Sequence, residues 1–153
     1  MRYALFEDGQ ETIVSKLVWT VFKKYEAPDY PPEGVQTFKD FIEPDRLKQM
    51  AEDGNSIYCC FDDEKLVGVL AFRGLSHISL LFVDEEYHRQ GIAKTLLDKA
   101  LKEIVARNSE IGEISVNSSP YAEGIYTRMG FTAQSSIQQQ DGIRFIPMLK
   151  KLP

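Results

Sequence analysis

The sequence predicts an α/β (α+β) fold in which a mixed, mostly antiparallel sheet is flanked by helices, with residues 1–153 forming one domain. Three observations predict it. Apolar residues recur at helical spacing in separated segments, short apolar runs bounded by polar turns lie between them, and an Asp-Gly turn joins two strand-like runs near the end of the sequence. A hydrophobic content of 43% is sufficient for a sizeable core.

The first fifty residues predict one strand, at 3–6, and two helical regions. The first helix has one apolar face, formed by Ile13, Val14, Leu17, Val18, Val21, Phe22 and Tyr25. Three prolines within 27–34 predict a semi-rigid loop there. The second helical region, from Phe38 to Met50, is interrupted at Pro44 and ends at Gly54.

The rest of the chain predicts further strands, at 56–61, 66–72, 78–83, 113–116, 137–140 and 143–149. A long helix follows the strand at 78–83. A second helix has Ser119 as its N-cap and Pro120 at its first position, and Gly130 ends it in a left-handed conformation. Asp141 and Gly142 form the turn of a closing hairpin.

The segment 80–97 is an apolar strand that passes through Gly91 into an amphipathic helix. The apolar face of that helix contains Ala93, Leu96, Leu97, Ala100, Leu101, Ile104 and Val105. The first amides of a helix lack intrahelical acceptors and carry the positive end of the macrodipole, so they favour a bound phosphate. A Walker loop and a three-glycine dinucleotide fingerprint are both absent. The alternative is a tight turn that uses glycine for geometry alone.

Residues 88–93 resemble the Q/R-x-x-G-x-G/A segment of the GCN5-related N-acetyltransferase (GNAT) family. Gly91 and Ala93 match the pattern, whereas His88 stands where the family usually has Gln or Arg. The segment 125–131 is similar to the family's L-Y-x-x-x-G-F segment. The resemblance covers most of the chain and is strongest from 56 to 131.

The resemblance implies that acetyl-coenzyme A (acetyl-CoA) is the co-substrate and that the loop amides hold its pyrophosphate. In the family, the strand before the loop splays away from the next strand, and its free main-chain groups pair with pantetheine in the resulting cleft. Buried main-chain donors are costly unless a ligand or water meets them, which gives this gap a physical use. The implied cofactor-binding residues are Phe82, Val83, His88, Arg89, Gln90, Gly91, Ile92, Ala93 and Lys94.

Tyr126 is the first candidate for catalysis. Its position, four residues before Gly130, matches the family's tyrosine. A phenol is a neutral proton donor at pH 7 and would protonate the departing thiolate of coenzyme A. The alternative is an aromatic side chain that only packs beside Ala122 and Phe131.

His77 is the second catalytic candidate. It lies six residues before Val83, the offset of a glutamate general base in some histone-acetylating relatives, and imidazole accepts a proton near neutral pH. Strand periodicity predicts that the side chains at 77, 79, 81 and 83 share one face, which would line the cleft. The alternative is a histidine that caps the strand or bonds within the sheet.

Two further groups of polar residues are candidates for binding. Where the family commonly has asparagine, seven residues before the tyrosine, this chain has Ser119, and Asn117 is a possible replacement; both are equally suited to a turn and helix cap. For the acceptor, the early loop offers aromatic walls and negative charge suited to an ammonium group, from Tyr25, Glu26, Asp29, Tyr30 and Glu33. An ordinary surface loop is the alternative.

Composition limits the partners. Eighteen basic and 23 acidic side chains give a net charge of −5, which disfavours nucleic acid and weakly favours a cationic or neutral acceptor. No long apolar run predicts a membrane span, and the first residues do not resemble a signal peptide, so we expect a cytoplasmic protein, monomeric or homodimeric. Adjacent Cys59 and Cys60 point to opposite faces of a strand, so no mutual disulfide is expected.

The resemblance and the residues together predict an acetyl-CoA-dependent N-acetyltransferase. A primary amine of a small molecule or peptide would attack the thioester directly in a ternary complex, with no metal and no covalent enzyme intermediate. The alternative is a non-catalytic acyl-CoA-binding or regulatory module that keeps the phosphate loop but lacks a working base.

Overall fold

The computed structural model describes residues 1–153, in eight strands and five helices. The strands are β1 (Arg2–Leu5), β2 (Ile57–Asp62), β3 (Lys65–Arg73), β4 (His77–Val83), β5 (Glu113–Ser118), β6 (Thr132–Ala133), β7 (Gln138–Gln140) and β8 (Ile143–Lys151). The helices are α1 (Glu11–Tyr25), α2 (Pro32–Phe41), α3 (Pro44–Glu52), α4 (Ile92–Arg107) and α5 (Glu123–Arg128). Short 3-10 turns cover Ala27–Asp29 and Glu85–Tyr87.

The strands form one mixed sheet in the order β1-β2-β3-β4-β5-β8-β6, with β7 paired to the start of β8. Every pairing is antiparallel except that of β4 with β5. The predicted mixed, mostly antiparallel sheet is therefore confirmed. The parallel pair has only two register positions, His77 with Ser115 and Ile78 with Val116. Beyond Ile78 the two strands diverge, which opens the predicted gap in the sheet.

Helices cover both faces of the sheet, and each face has its own core. One core, against α1, α2 and α3, contains Val18, Phe22 and Leu80. The other, against α4 and α5, contains Leu96, Leu97 and the β-strand residues that face them. Cys59 belongs to the first core and Cys60 to the second, and both are free and buried, as their adjacency in a strand predicts.

A bulge in β4 changes the predicted side-chain alternation. Ala71 pairs with Leu80 and Phe72 with Ile78, so Ser79 has no partner on β3. Ile78 consequently packs in the core beside α4, whereas Leu80 packs in the core beside α1. The prediction that residues 77, 79, 81 and 83 share one face is therefore wrong, because the extra residue shifts the alternation by one.

Other differences concern helix boundaries. The prolines do not exclude helix throughout 27–34, because Pro32 occupies the first turn of α2, where its missing amide has no intrahelical acceptor. α5 begins at Glu123 rather than at Ser119, whose hydroxyl instead accepts a hydrogen bond from the Ala122 amide (3.1 Å) in the preceding turn. Gly130 and the Asp141-Gly142 turn have the predicted positive φ angles.

Two predicted face residues, Ile13 and Val105, are exposed at the edges of their helices. No helix of the protein combines the length and the apolar character needed to span a bilayer.

Candidate active site

A cleft of about 760 Å³ opens beside the diverging end of β4. One wall consists of the end of β4, the following loop and the start of α4, and the other consists of α5 and the turn before it. The end of α1 closes one side. Among the predicted site residues, those that line the cleft are Tyr25, Glu26, Phe82, Val83, His88, Arg89, Gly91, Ile92, Ala93, Lys94 and Tyr126.

The turn before α4 presents free backbone amides to the cleft. Arg89 and Gly91 have left-handed φ angles of +64° and +78°, and no side chain caps the helix at Gly91. The first helical bond runs from the Thr95 amide to the Gly91 carbonyl (2.9 Å), and the amides of residues 89–94 donate to no protein acceptor. Free amides at the positive end of a 16-residue helix form a site for an anion.

Three cationic side chains lie along the same cleft: Arg89, Lys94 and Arg128. Lys94 pairs with Asp98 one turn along α4 (2.8 Å). Arg128 comes from α5 on the opposite wall and is absent from the sequence-based candidates. Helical spacing was the available signal, since Gly124 and Arg128 lie one turn apart on the face that also carries Ile125 and Met129. The local charge is therefore positive although the whole chain is acidic.

The His88 side chain fastens the turn to the end of β4. The His88 Nε2 donates to the Val83 carbonyl oxygen (2.8 Å), which makes this the protonated ring nitrogen. The ring also lies 5.4 Å from the Tyr25 ring, between centroids. Because the Val83 carbonyl already has this partner, His88 holds the strand and the loop in a fixed geometry.

Tyr126 belongs both to the core and to the cleft. It is 6% exposed, packs edge-to-face on Phe131 with ring centroids 5.3 Å apart, and lines the cleft. Burial raises the pKa of its phenol, and the charge of Glu26 raises this pKa further. The phenol therefore remains protonated at neutral pH and is available as a proton donor.

Glu26 follows the last residue of α1 and lies across the cleft from α5. It is the only charged residue in the buried set, and it takes part in none of the ion pairs. Burial raises the pKa of its carboxyl group to about 7; a hydrogen bond with Ser119 opposes that shift, and the charge of Asp29 adds to it. A buried carboxylate without a cationic partner favours a cation or a proton.

Aromatic rings flank this carboxylate. The rings of Tyr25 and Tyr121 lie 4.9 Å apart at an angle of 32°. Tyr121 is 37% exposed and, like Arg128, is absent from the sequence-based candidates because its approach to Tyr25 joins segments nearly a hundred residues apart. Lys24 pairs with Glu85 beside these rings, which ties the end of α1 to the loop after β4.

Asp29 and Tyr30 lie next to Glu26 but outside the cleft lining. Arg144 of β8 approaches the Asp29 carbonyl oxygen (3.4 Å), and the Thr37 hydroxyl donates to the Asp141 carbonyl oxygen (2.9 Å). The closing hairpin therefore docks on the segment that carries Asp29. The contact needs glycine at 34, because a Cβ there would lie 2.0 Å from the Gly142 carbonyl oxygen.

The structure does not bring the remaining candidates into the cleft lining. His77 lies where β4 and β5 still pair, and its Nδ1 is 2.8 Å from the Ser115 hydroxyl oxygen. Burial, and then the charge of Arg73, lowers its pKa. Asn117 is exposed and Gln90 lies at the outside of the turn, while Ser119 is buried beside Glu26.

Comparison with known proteins agrees with this architecture. The model of the acetyltransferase (GNAT) domain matches residues 26–152, so the chain belongs to the GNAT acetyltransferase family, whose members carry out acyl transfer. No curated protein sequence matches the chain significantly.

Solved structures share the fold at low sequence identity. A GCN5-related N-acetyltransferase from Rhodopseudomonas palustris has a TM-score of 0.84 and 18% identity, over 99% of this chain and 95% of that one. The PaiA N-acetyltransferase from Thermoplasma acidophilum, in complex with coenzyme A, has a TM-score of 0.76 and 20% identity, over 99% and 100%. Tetrahymena GCN5 has a TM-score of 0.68 and 15% identity, over 99% and 96%.

Proposed function

We propose that this protein is an acetyl-CoA-dependent N-acetyltransferase that acetylates a primary amine of a small molecule or peptide by direct attack within a ternary complex. The observation that carries the proposal is one cleft lined by two chemically different sets of groups. Free helix amides and cationic side chains form one set, and the Tyr126 phenol and the Glu26 carboxylate form the other.

The free amides and the cationic side chains support coenzyme A as the ligand. The amides of residues 89–94 offer donors for a pyrophosphate, and Arg89, Lys94 and Arg128 offer charge. The end of β4 has no strand partner on its β5 side, and its main chain there, apart from the Val83 carbonyl that His88 occupies, supports pantetheine along Phe82 and Val83. Acetyl-CoA supplies an acetyl group as a reactive thioester. Two of the structural neighbours, PaiA and an aminoglycoside 6'-N-acetyltransferase, are described as complexes with coenzyme A.

Glu26 and the aromatic rings beside it support an amine as the acceptor. The buried carboxylate of Glu26 attracts an ammonium group, and the Tyr25 and Tyr121 rings offer cation-π contacts beside it. Tyr126 would donate its proton to the sulfur as the thioester carbon–sulfur bond breaks. We further propose a cytoplasmic protein in which residues 1–153 act as one domain, as a monomer or a homodimer.

Thiol release from acetyl-CoA in the presence of a panel of primary amines tests the proposal. We expect turnover that depends on both substrates, together with coenzyme A binding measured by calorimetry. Binding without turnover on any amine would instead favour the non-catalytic acyl-CoA-binding module. A properly folded protein that ignores coenzyme A and its thioesters would refute both functions.

A further inference from the structure

We propose that the Glu26 carboxylate is the general base that takes the proton from the acceptor amine. This inference rests on the proposed function and assigns the base that the N-acetyltransferase reaction needs. It differs from the sequence-based assignment to His77, and it follows from where α1 ends in the folded chain.

No cationic side chain forms an ion pair with Glu26. The 3-10 turn after α1 contributes Asp29 and Tyr30 to its surroundings, and α5 with its preceding turn contributes Ser119, Tyr121 and Tyr126. The basic side chains nearby have other positions or partners: Lys24 pairs with Glu85, Arg144 of β8 is directed to the Asp29 carbonyl oxygen, and His88 and Arg89 line the cleft from the loop after β4. Removing a carboxylate from water without a cationic partner is costly, so the site is complete only when a cation or a proton meets Glu26.

The position of Glu26 relative to Tyr126 fits the two proton transfers that amide formation requires. Both residues are buried and line the same cleft, Glu26 from the end of α1 and Tyr126 from α5. The Glu26 carboxylate can accept a proton, and the Tyr126 phenol can donate one. A carboxyl pKa of about 7 suits a base that takes a proton at neutral pH and returns it to water.

His77 lacks this geometry. It lies on the Ser115 side of β4, before the Ser79 bulge, whereas Leu81 and Val83 follow the bulge and pack toward α4. Its imidazole already bonds the Ser115 hydroxyl (2.8 Å) and is not part of the cleft lining.

The reaction balances with these two groups. Glu26 takes one proton from the bound ammonium group, which frees the nitrogen lone pair. The nitrogen forms a bond to the acetyl carbonyl carbon, the carbon–sulfur bond breaks, and the sulfur takes the Tyr126 proton. The remaining excess proton on nitrogen restores the Tyr126 phenol, and Glu26 releases its proton to water after product leaves. The products are the acetylated amine, the free thiol and one proton.

The test compares pH profiles of kcat/KM for wild type and five variants, of which His77→Ala tests the alternative base. We expect an acidic limb with a midpoint near pH 7 in wild type and its loss in Glu26→Gln, with kcat lowered by about 10²- to 10⁴-fold. Asp29→Asn should move the limb to lower pH, because the charge of Asp29 raises the Glu26 pKa. Ser119→Ala should move it to higher pH, because the Ser119 hydrogen bond lowers that pKa. Glu52→Gln, an exposed carboxylate at the end of α3, is the control that should leave the profile unchanged.

Other outcomes would overturn the inference. An acidic limb that persists in Glu26→Gln but disappears in His77→Ala would assign the base to the histidine. A Glu26→Gln enzyme with a raised KM and unchanged kcat would reduce Glu26 to an ammonium-binding residue. With either of these two results, turnover by the wild-type enzyme would still support the proposed function. Absence of wild-type turnover on every amine would overturn both proposals.

Discussion

In the cleft, burial raises the pKa of two individual residues, with opposite consequences for their roles. The Tyr126 phenol gains a raised pKa and therefore keeps its proton, while the raised pKa of Glu26 makes its carboxylate a better proton acceptor. In both cases the largest cause is removal from water. The pKa of each side chain thus depends on how the protein packs around it. Each residue leads to a separate prediction.

Tyr126→Phe should lower kcat by about 10²-fold, because we propose that the phenol donates a proton to the leaving thiolate. Coenzyme A affinity and thermal stability should change little, since the ring retains its contact with Phe131. Steady-state thiol release and a melting curve check both expectations. Tyr58→Phe, which removes a phenol from the same core away from the cleft, is the matched control. Unchanged turnover of Tyr126→Phe at all pH values would remove the catalytic assignment.

Glu26→Gln should stabilise the protein at pH 8 and leave its stability nearly unchanged at pH 4. The folded state holds the Glu26 proton up to about pH 7, whereas the unfolded state releases it near 4.5. The cost of ionising the buried carboxyl is therefore absent below pH 4.5, grows through this window and is complete above pH 7. It corresponds to about 3 kcal/mol.

Urea unfolding at the two pH values measures this effect, with Glu52→Gln as the exposed control. If Glu26→Gln changed the unfolding free energy equally at pH 4 and pH 8, ionisation of the Glu26 carboxyl group would carry no cost from burial. A stabilised but inactive Glu26→Gln protein would indicate that the cleft keeps this carboxylate at the expense of stability.

Among the structural elements, the strand–turn–helix unit from β4 to α4 forms the proposed anion site. The Asp84 carboxylate accepts a hydrogen bond from the Glu86 amide (2.9 Å) at the start of the 3-10 turn. At the other side of the loop, the His88 side chain bonds to the Val83 carbonyl oxygen. The left-handed residues Arg89 and Gly91 then direct the chain into α4 with its first amides free. The loop is therefore organised before any ligand binds.

Gly91→Ala should weaken coenzyme A binding by at least tenfold, with a loss of stability of about 1–2 kcal/mol. At a φ of +78° an L-residue is strained, and relief of that strain turns the amides away from the phosphate position. Calorimetric titration with coenzyme A measures the affinity. Gly74→Ala is the matched control, because Gly74 has a φ of +66° and, like Gly91, open space around its Cβ position.

The two substitutions should differ only in binding. Both glycines have the same kind of strain, but Gly74 lies in the β3–β4 turn, outside the cleft. If the two variants bound coenzyme A with equal affinity, Gly91 would have no role in phosphate binding and would serve only the geometry of the turn.

At the scale of the whole molecule, the sheet is weakest where the cleft opens. β4 and β5 share two register positions, whereas β3 and β4 share six and β5 and β8 share six. The two halves of the sheet, β1 to β4 and β5 to β8, are joined at this short parallel pair. Because the cleft is lined from both halves, we propose that a ligand bound there contacts both.

Saturating coenzyme A, at about 100 times its Kd, should raise the unfolding free energy by about 2.7 kcal/mol. Because the cleft contains residues from both halves, amide hydrogen exchange should slow in the 84–94 loop and in α5 together. Exchange mass spectrometry with and without coenzyme A measures this, with adenosine as a control that lacks phosphate and pantetheine. Protection limited to the 84–94 loop would show that the ligand does not bridge the two walls.

Features that depend on nearby residues could be predicted from the amino-acid sequence. Periodicity and turn chemistry identified most strands and helices, and the Gly91 turn and Tyr126 stood out as local patterns next to a helix. Such features are readable because amide geometry, glycine conformations and helix ends are set within a few residues. The Pro32 helix start and the later start of α5 were missed, since proline and serine are compatible with more than one position near a helix end.

Features that depend on distant residues became visible in the folded chain alone. His77 lies outside the cleft lining, and the Ser79 bulge that interrupts the alternation between it and Leu81 is defined by the pairing with β3. Arg128 and Tyr121 reach the cleft because α5 packs across the gap in the sheet. The buried, unpaired state of Glu26 is a property of the side chains around it, from the turn after α1 to the turn after β5, so its pKa and its proposed role exist only in the folded chain.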